Sequence, residues 1–281
     1  MNSPAISIYK IKKKFGSVTA LEDLTLEVPT GCIFGFLGPN GAGKTTTIRL
    51  LLGLLQPTAG SLAVLGYDSQ THADQIRAHT GALLEHTGIY EQMSAEDNLE
   101  FYGRAFRMPE KERKGRVQEL LTGMGLWERR TDRAGSWSRG MKQKLAVARA
   151  LLHRPTMLFL DEPTAGLDPL AAAALRNDIA TLVEDSGATV FMNTHNLPEA
   201  EKLCAQVGVI RNGKLLAVGS PDQLRMGTNA THLEISGRGF SQSILEELRV
   251  HPVVESVIRR NSHLDITLSD TTGTSALITF L

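Results

Sequence analysis

Eight consecutive residues, Gly38-Pro39-Asn40-Gly41-Ala42-Gly43-Lys44-Thr45, fit the pattern GxxxxGK[ST]. That pattern handles phosphate. Its glycines let successive backbone N–H groups turn onto phosphate oxygens, and a helix opening behind them adds about half a positive charge at its N-terminus. Lys44 would reach the β- and γ-phosphates of a nucleoside triphosphate, and Thr45 would give its hydroxyl oxygen to Mg²⁺. Thr46 follows directly and is grouped with these nucleotide-binding residues. Farther along, the apolar run Met157-Leu158-Phe159-Leu160 ends in Asp161 and Glu162. Carboxylates at strand ends of an open α/β sheet lie at the ligand crevice. Asp161 is expected to hold Mg²⁺ through its coordination shell, and Glu162 to accept a proton from, or orient, an attacking water. The expected ligands are ATP and Mg²⁺.

These groups need a strand before the glycine loop, a helix after it and a second strand beneath the acids. Ile33–Leu37 is a short apolar run that supplies the first, and Thr46–Leu54, closed by Gln56-Pro57, reads as the helix. Ile6–Ile11 and Leu24–Val28 alternate apolar with polar, as half-buried strands do. Residues 94–155 read as helix-rich, with Ser94 capping acids in a first turn and Ser138 starting a helix that ends before Pro155. Strands are expected again at Thr156–Leu160, Thr189–Asn193 and Val207–Arg211, the last joined through Asn212-Gly213 to Leu215–Val218 as a hairpin. After Gly219-Ser220-Pro221 the composition shifts. Two alternating stretches, His232–Ser236 and His263–Ser269, and one helical stretch, Ser243–Leu248, suggest a small separate α+β module over residues 228–281. Its last helix-like run, Thr274–Leu281, is short of the mean helix of about 11–12 residues, so the chain either ends there or has been cut.

The bulk composition narrows the function classes. A chain of 281 residues can bury a large core, and its 42% hydrophobic and 21% charged content is that of a soluble globular protein. Thirty Lys and Arg balance thirty Asp and Glu, so a nucleic-acid partner is not expected. The cysteines, Cys32 and Cys204, stand far apart without CxxC spacing and read as reduced thiols. The N-terminus carries no apolar signal region, and the longest uncharged stretch, 50–67, is broken by polar residues, Pro57 and glycine. The chain is therefore expected in the cytoplasm, meeting a membrane only through a partner.

Ser138-Arg139-Gly140-Met141 lies 23 residues before Asp161 at the start of the helix KQKLAVARALL. It resembles the signature motif of the ABC ATPase family, usually LSGGQ. A capped helix N-terminus without its own lysine is an anion site that makes sense if it completes the γ-phosphate pocket of a second copy. Other family motifs follow in order. Ala165-Gly166-Leu167-Asp168 is similar to the D-loop and Thr194-His195 to the switch histidine. Phe15, 23 residues before Gly38, stands where the family places an aromatic that stacks on adenine. The resemblance spans about residues 4–225, with three departures. Arg139 and Met141 replace a glycine and a glutamine of the signature, Glu85 aligns with the Q-loop glutamine, and Phe15 stands for the commoner tyrosine. Glu85 can still touch Mg²⁺ or water but cannot donate an amide hydrogen bond.

With the appended C-terminal module, these departures resemble the ATPase subunits of drug-resistance and sodium-efflux exporters. The resemblance implies a P-loop NTPase α/β core with an antiparallel β subdomain and a helical subdomain at about 94–155, together spanning 1–227, and a C-terminal α+β accessory module over 228–281. It implies ATP hydrolysis, with catalytic Lys44, Glu162 and His195. Nucleotide would be held by Phe15, Gly38, Pro39, Asn40, Gly41, Ala42, Gly43, Lys44, Thr45 and Thr46, and across a head-to-tail homodimer by Ser138, Arg139 and Gly140. Metal would be held by Thr45, Asp161 and Glu85. Separate transmembrane permease subunits would carry the substrate outward, docking near Ile89, Tyr90, Met93, Phe101 and Tyr102. Two other readings remain at this point, an ABC ATPase acting on ribosomes or DNA and a nucleotide-binding regulator.

Overall fold

The computed structural model describes residues 3–227, 231–236, 242–252, 254–260 and 263–268. They fall into two compact units, Met1–Pro221 and Asp222–Leu281. The first opens with β1 (Ile6–Phe15), β2 (Val18–Val28), β3 (Ile33–Leu37) and helix α1 (Lys44–Leu51). Next come β4 (Ala59–Val64), β5 (Tyr67–Asp68), α2 (Ala73–His79) and β6 (Thr80–Leu83). A helical segment holds α3 (Ala95–Ala105), α4 (Glu110–Gly123) and α5 (Arg139–Leu151). Then β7 (Met157–Asp161), α6 (Pro169–Ser186), β8 (Thr189–Thr194), α7 (Leu197–Leu203), β9 (Gln206–Arg211) and β10 (Lys214–Gly219) alternate strand with helix before a hairpin, and α8 (Pro221–Gly227) begins at the unit boundary.

Two sheets organise this unit. One is antiparallel, in the order β2-β1-β4-β5; the other has the order β10-β9-β3-β8-β7-β6. Strands β9, β3, β8, β7 and β6 run parallel, and β10 turns back antiparallel. Every residue of β3, β7 and β8 is buried, which is why Ile33–Leu37, Met157–Leu160 and Val190–Met192 read as apolar runs. The core runs from Ile6, Ile8 and Leu62 of the antiparallel sheet through Ile48 and Leu51 of α1 to Phe34, Phe159 and Phe191 of the parallel strands.

Local sequence accounts for the helix ends. Ser94 Oγ accepts the Asp97 N–H at 3.0 Å, with Glu96 and Asp97 in the first turn of α3. Asp168 accepts from the N–H groups of Leu170 and Ala171 at 3.1 and 2.9 Å, Pro169 opens α6, and Gly187 closes it in the left-handed region. Asn212 and Gly213 both have positive φ, as a two-residue turn between β9 and β10 requires.

The first two strands run several residues beyond the expected Ile6–Ile11 and Leu24–Val28. Their pairing contains register shifts, and Lys10 and Asp23 take positive φ, so the alternation breaks where the strand continues. Helix α1 spans Lys44–Leu51 instead of Thr46–Leu54, because the glycine loop itself forms the first turn.

The second unit holds β11 (Thr231–Ser236), α9 (Gln242–Val250), β12 (Val254–Arg260) and β13 (His263–Leu268), in an antiparallel sheet of order β11-β13-β12. Leu245 and Leu248 of α9 pack on Val257, Leu264 and Ile266. Strand β12 was not expected. The expected helix-like run Thr274–Leu281, and Ser269, lie outside the described residues. Among the described residues no helix is long and apolar enough to cross a membrane.

Candidate functional site

The glycine loop leaves the end of β3 and enters α1, so its N–H groups and the helix N-terminus face the same space. Gly43 has φ 109°, and a Cβ there would lie 2.8 Å from the Ala20 carbonyl oxygen and 2.6 Å from Leu21 Cδ2. Only glycine fits. The Lys44 side chain is 6% exposed, and its Nζ donates to the carbonyl oxygens of Gly38 at 2.7 Å and Pro39 at 3.3 Å. It also pairs with Glu162 Oε1 at 3.2 Å. A buried ammonium held by loop carbonyls and one carboxylate is poised to exchange those partners for stronger phosphate acceptors.

Parallel pairing sets the acids opposite this loop. Asp161 at the end of β7 is in register with Asn193 of β8. Thr45 Oγ1 donates to Asp161 Oδ2 at 2.7 Å, and Asn193 Nδ2 donates to Asp161 Oδ1 at 2.8 Å. Glu162 follows with φ 51°, a left-handed conformation costing a non-glycine residue roughly 1–2 kcal/mol. Its N–H is anchored on Asn193 O at 3.0 Å, and its Oε2 meets His195 Nδ1 at 2.6 Å. The strained turn aims the carboxylate at both Lys44 and His195.

A cavity of about 560 Å³ opens over these groups. Asn40, Gly41, Gly43, Lys44, Thr45 and Thr46 line one side, and Asp161, Glu162, Glu85 and Arg139 line the other. Glu85 Oε2 is paired with Arg49 Nη2 at 3.0 Å. Phe15 lies at the end of β1, 47% exposed, with Lys13 Nζ 4.8 Å from its ring centre. It is not among the cavity lining.

The residues at the start of α5 are built differently from one another. Ser138 accepts the Met141 N–H at 3.3 Å and caps the helix. Arg139 reaches the cavity across Gly166, where a Cβ would fall within 2.8 Å of three guanidinium atoms. Gly140 faces Ala171 and Leu167. Ser138 and Gly140 are not among the residues lining this cavity of their own chain.

Two hard oxygen donors, Thr45 Oγ1 and Asp161 Oδ2, sit side by side at the mouth of a phosphate cradle. That donor set fits Mg²⁺, which commonly takes one or two protein ligands and fills the rest with water and phosphate oxygens. Among the described residues no three His, Cys, Asp or Glu side chains converge as an all-protein metal cage. Asn193 was missed in the sequence. Its one visible signal was its place two residues before His195, at the end of a strand running beside the one that ends at Asp161.

Fold and site together define a nucleotide-hydrolysing P-loop protein, with the phosphate loop at the carboxyl end of β3 and the acids at that of β7, two parallel strands with β8 between them. The family model described as "ABC transporter" matches residues 21–165. A further model, described as "AAA domain, putative AbiEii toxin, Type IV TA system", matches residues 132–200. The chain belongs to the ABC transporter ATP-binding family and is an ATPase. It is 36% identical over 270 residues to the bacitracin transport ATP-binding protein BcrA of Bacillus licheniformis, covering 93% of this chain and 86% of that protein. It is 36% identical over 242 residues to the daunorubicin resistance ATP-binding protein DrrA3 of Streptomyces coeruleorubidus, covering 86% and 76%. A solved ATP-binding subunit of an ABC transporter is 31% identical with a TM-score of 0.71, covering 79% of this chain and 92% of that one. The cbiO1 structure from Clostridium perfringens shares the fold at 21% identity, with a TM-score of 0.74 and coverage of 89% and 96%. The chain is thus the ATP-binding and ATP-hydrolysing subunit of a transporter, and its relatives serve export and resistance.

Proposed function

We propose that two copies of this chain, arranged head-to-tail, hydrolyse Mg²⁺-ATP to drive export through separate transmembrane permease subunits. The observation that carries this reading is the junction at the strand ends, where Lys44 meets Glu162 at 3.2 Å and Thr45 meets Asp161 at 2.7 Å. The loop N–H groups and Lys44 bind the β- and γ-phosphates, and Thr45 and Asp161 hold the metal. Bound there, Mg²⁺ supplies charge neutralisation of the phosphate oxygens. Glu162 accepts the proton of, or orients, the attacking water from a carboxylate fixed by His195. Phe15 offers its exposed ring to adenine. Glu85, held by Arg49, faces metal or water where the family has an amide.

Ser138, Arg139 and Gly140 serve the second copy's nucleotide; Ser138 and Gly140 stand apart from their own chain's cavity, whereas Arg139 also lines it across Gly166. The permease docks beside the helical subdomain at about 94–155. There Tyr90 and Phe101 meet edge-to-face at 5.0 Å and remain 46% and 45% exposed. A neighbouring groove of about 450 Å³, lined by Leu54, Leu84, Tyr102, Phe106 and Ala150, suits an apolar helix. The chain in this reading lies peripherally on the cytoplasmic face of the membrane. Residues 1–227 carry the nucleotide chemistry, and 228–281 form an accessory module for assembly or coupling.

Paired variants test the reading. Lys44→Ala should lose tight ATP binding in calorimetry, because it removes the phosphate-facing charge. Glu162→Gln should keep ATP binding, lower turnover by about 10²–10⁴-fold and trap an ATP-bound dimer on size exclusion. Unchanged affinity in the first, or less than about a threefold loss of turnover in the second, would sink the assignment of these two residues.

A further inference from the structure

Glu199 in α7 is a carboxylate with no place in the chemistry above, yet its residue is only 2% exposed. A buried carboxylate costs several kcal/mol unless its oxygens are satisfied. Here both are. Thr164 Oγ1 donates to Oε1 at 2.7 Å, and Thr194 Oγ1 donates to Oε2 at 2.7 Å. Thr194 Oγ1 in turn accepts the Asn196 N–H at 3.0 Å, which fixes the direction of its proton toward Glu199. No lysine or arginine forms an ion pair with Glu199 among the described residues. The two hydroxyls are therefore the side chains that donate to its oxygens, one to each.

The two threonines sit at telling positions. Thr164 stands two residues after Glu162, and Thr194 stands immediately before His195. Since Glu162 Oε2 meets His195 Nδ1 at 2.6 Å, the contacts close a ring. It runs from Glu162 through His195 and Thr194 to Glu199, on to Thr164, and back along the chain to Glu162. Inside the ring, the Ala165 N–H donates to Glu162 O at 3.0 Å and the Leu167 N–H to Thr164 O at 3.2 Å, so the loop after Glu162 is itself tightly turned. Glu162 holds a positive φ, a conformation that persists only where its surroundings impose it. Glu199 ties the loop after β7, through Thr164, to the end of β8, through Thr194.

We propose that Glu199 is a positioning residue for hydrolysis: by bridging Thr164 and Thr194 it fixes the separation and orientation of the Glu162 carboxylate and the His195 imidazole. The proposal rests on the roles given above to Glu162 and His195. It concerns geometry and needs no charge on Glu199. A glutamine accepts from one threonine through its oxygen and donates to the other through its amide, so it can keep the bridge. An alanine leaves the buried Thr194 hydroxyl and the half-buried Thr164 hydroxyl without their acceptor and opens the ring.

The test measures kcat, KM for ATP, nucleotide affinity and thermal midpoint on the full chain. Glu199→Ala should lower kcat about tenfold or more with ATP affinity within about twofold, since small misplacements of reacting groups are costly. Glu199→Gln should restore at least about half the lost rate. If Glu199→Ala does not fold, Thr164→Val and Thr194→Val replace it. A ring opens once, so the double variant should be no slower than the slower single. Rates within twofold of wild type in every folded variant would overturn the proposal. So would a glutamine variant as slow as alanine, or additive losses in the two valine variants. Glu162→Gln is run alongside. If that change leaves turnover intact, the fault lies in the underlying assignment; if it slows turnover while the ring variants keep full rate, the proposal alone falls.

Discussion

Thr45 and Asp161 lie 116 residues apart in sequence and 2.7 Å apart in space. The pair illustrates what single side chains decide. Removing the hydroxyl with Thr45→Val deletes one of two hard oxygen donors while leaving the loop glycines and Lys44 in place. ATP binding without divalent metal should stay within about twofold, and the gain in affinity from Mg²⁺ should fall about tenfold or more, read by calorimetry with and without chelator. An undiminished metal-dependent gain would remove Thr45 from the metal site. Lys44 was legible from the glycine loop it closes, and Asp161, Glu162 and His195 because each stands at or just past a strand end. Asn193 and Glu199 were not, because each does its work through side-chain contacts that only the parallel register of β7 and β8 creates. Arg139 was legible as a departure from the usual signature, but its packing over Gly166 was not.

Among the elements, α5 links its capped N-terminus beside the cavity to the far edge of the parallel sheet. Just past its end, His153 Nε2 donates to Thr80 O of β6 at 3.1 Å, and Phe106 stacks on the imidazole at 3.9 Å. Burial, with smaller contributions from nearby His79 and Arg116, pushes His153 down to about 4. Its folded state thus resists protonation, while the unfolded chain binds a proton near pH 6.5. The resulting stability is fully present above about pH 6.5 and is lost as pH falls toward 4. Acidifying from pH 7 to 5 should cost about 2 kcal/mol through this residue. His153→Gln, which can still donate to Thr80 O, should flatten that part of the profile in denaturant titrations. An equal slope in both proteins would refute it. Caps at Ser94 and Ser138 and the Asn212-Gly213 turn were legible, since local chemistry sets them. Strands β4, β6 and β12 escaped notice because pairing, more than local pattern, makes them strands. The true extents of β1 and β2 were masked by bulges for the same reason.

At the scale of the whole molecule, one copy carries a complete phosphate cradle, while Ser138 and Gly140 stand outside it. Burial also accounts for the quiet cysteines: Cys204 is pushed up to about 12, chiefly by desolvation and then by the Glu199 charge, and both thiols are free. The antiparallel and parallel sheets share one apolar core, so the first unit can hold the loop and the acids rigidly. The second unit has its own small core on α9 and its sheet. In the proposed head-to-tail dimer, a second chain supplies the capped α5 N-terminus. The direct test mixes two inactive variants, Lys44→Ala and Ser138→Ala, and measures ATP hydrolysis. Each homodimer has two damaged sites, but a mixed dimer joins the intact loop of one copy to the intact Ser138 of the other. The mixture is predicted to hydrolyse ATP faster than either variant alone at the same total concentration. No gain over the parents, with mixed dimers present on the column, would contradict the composite site.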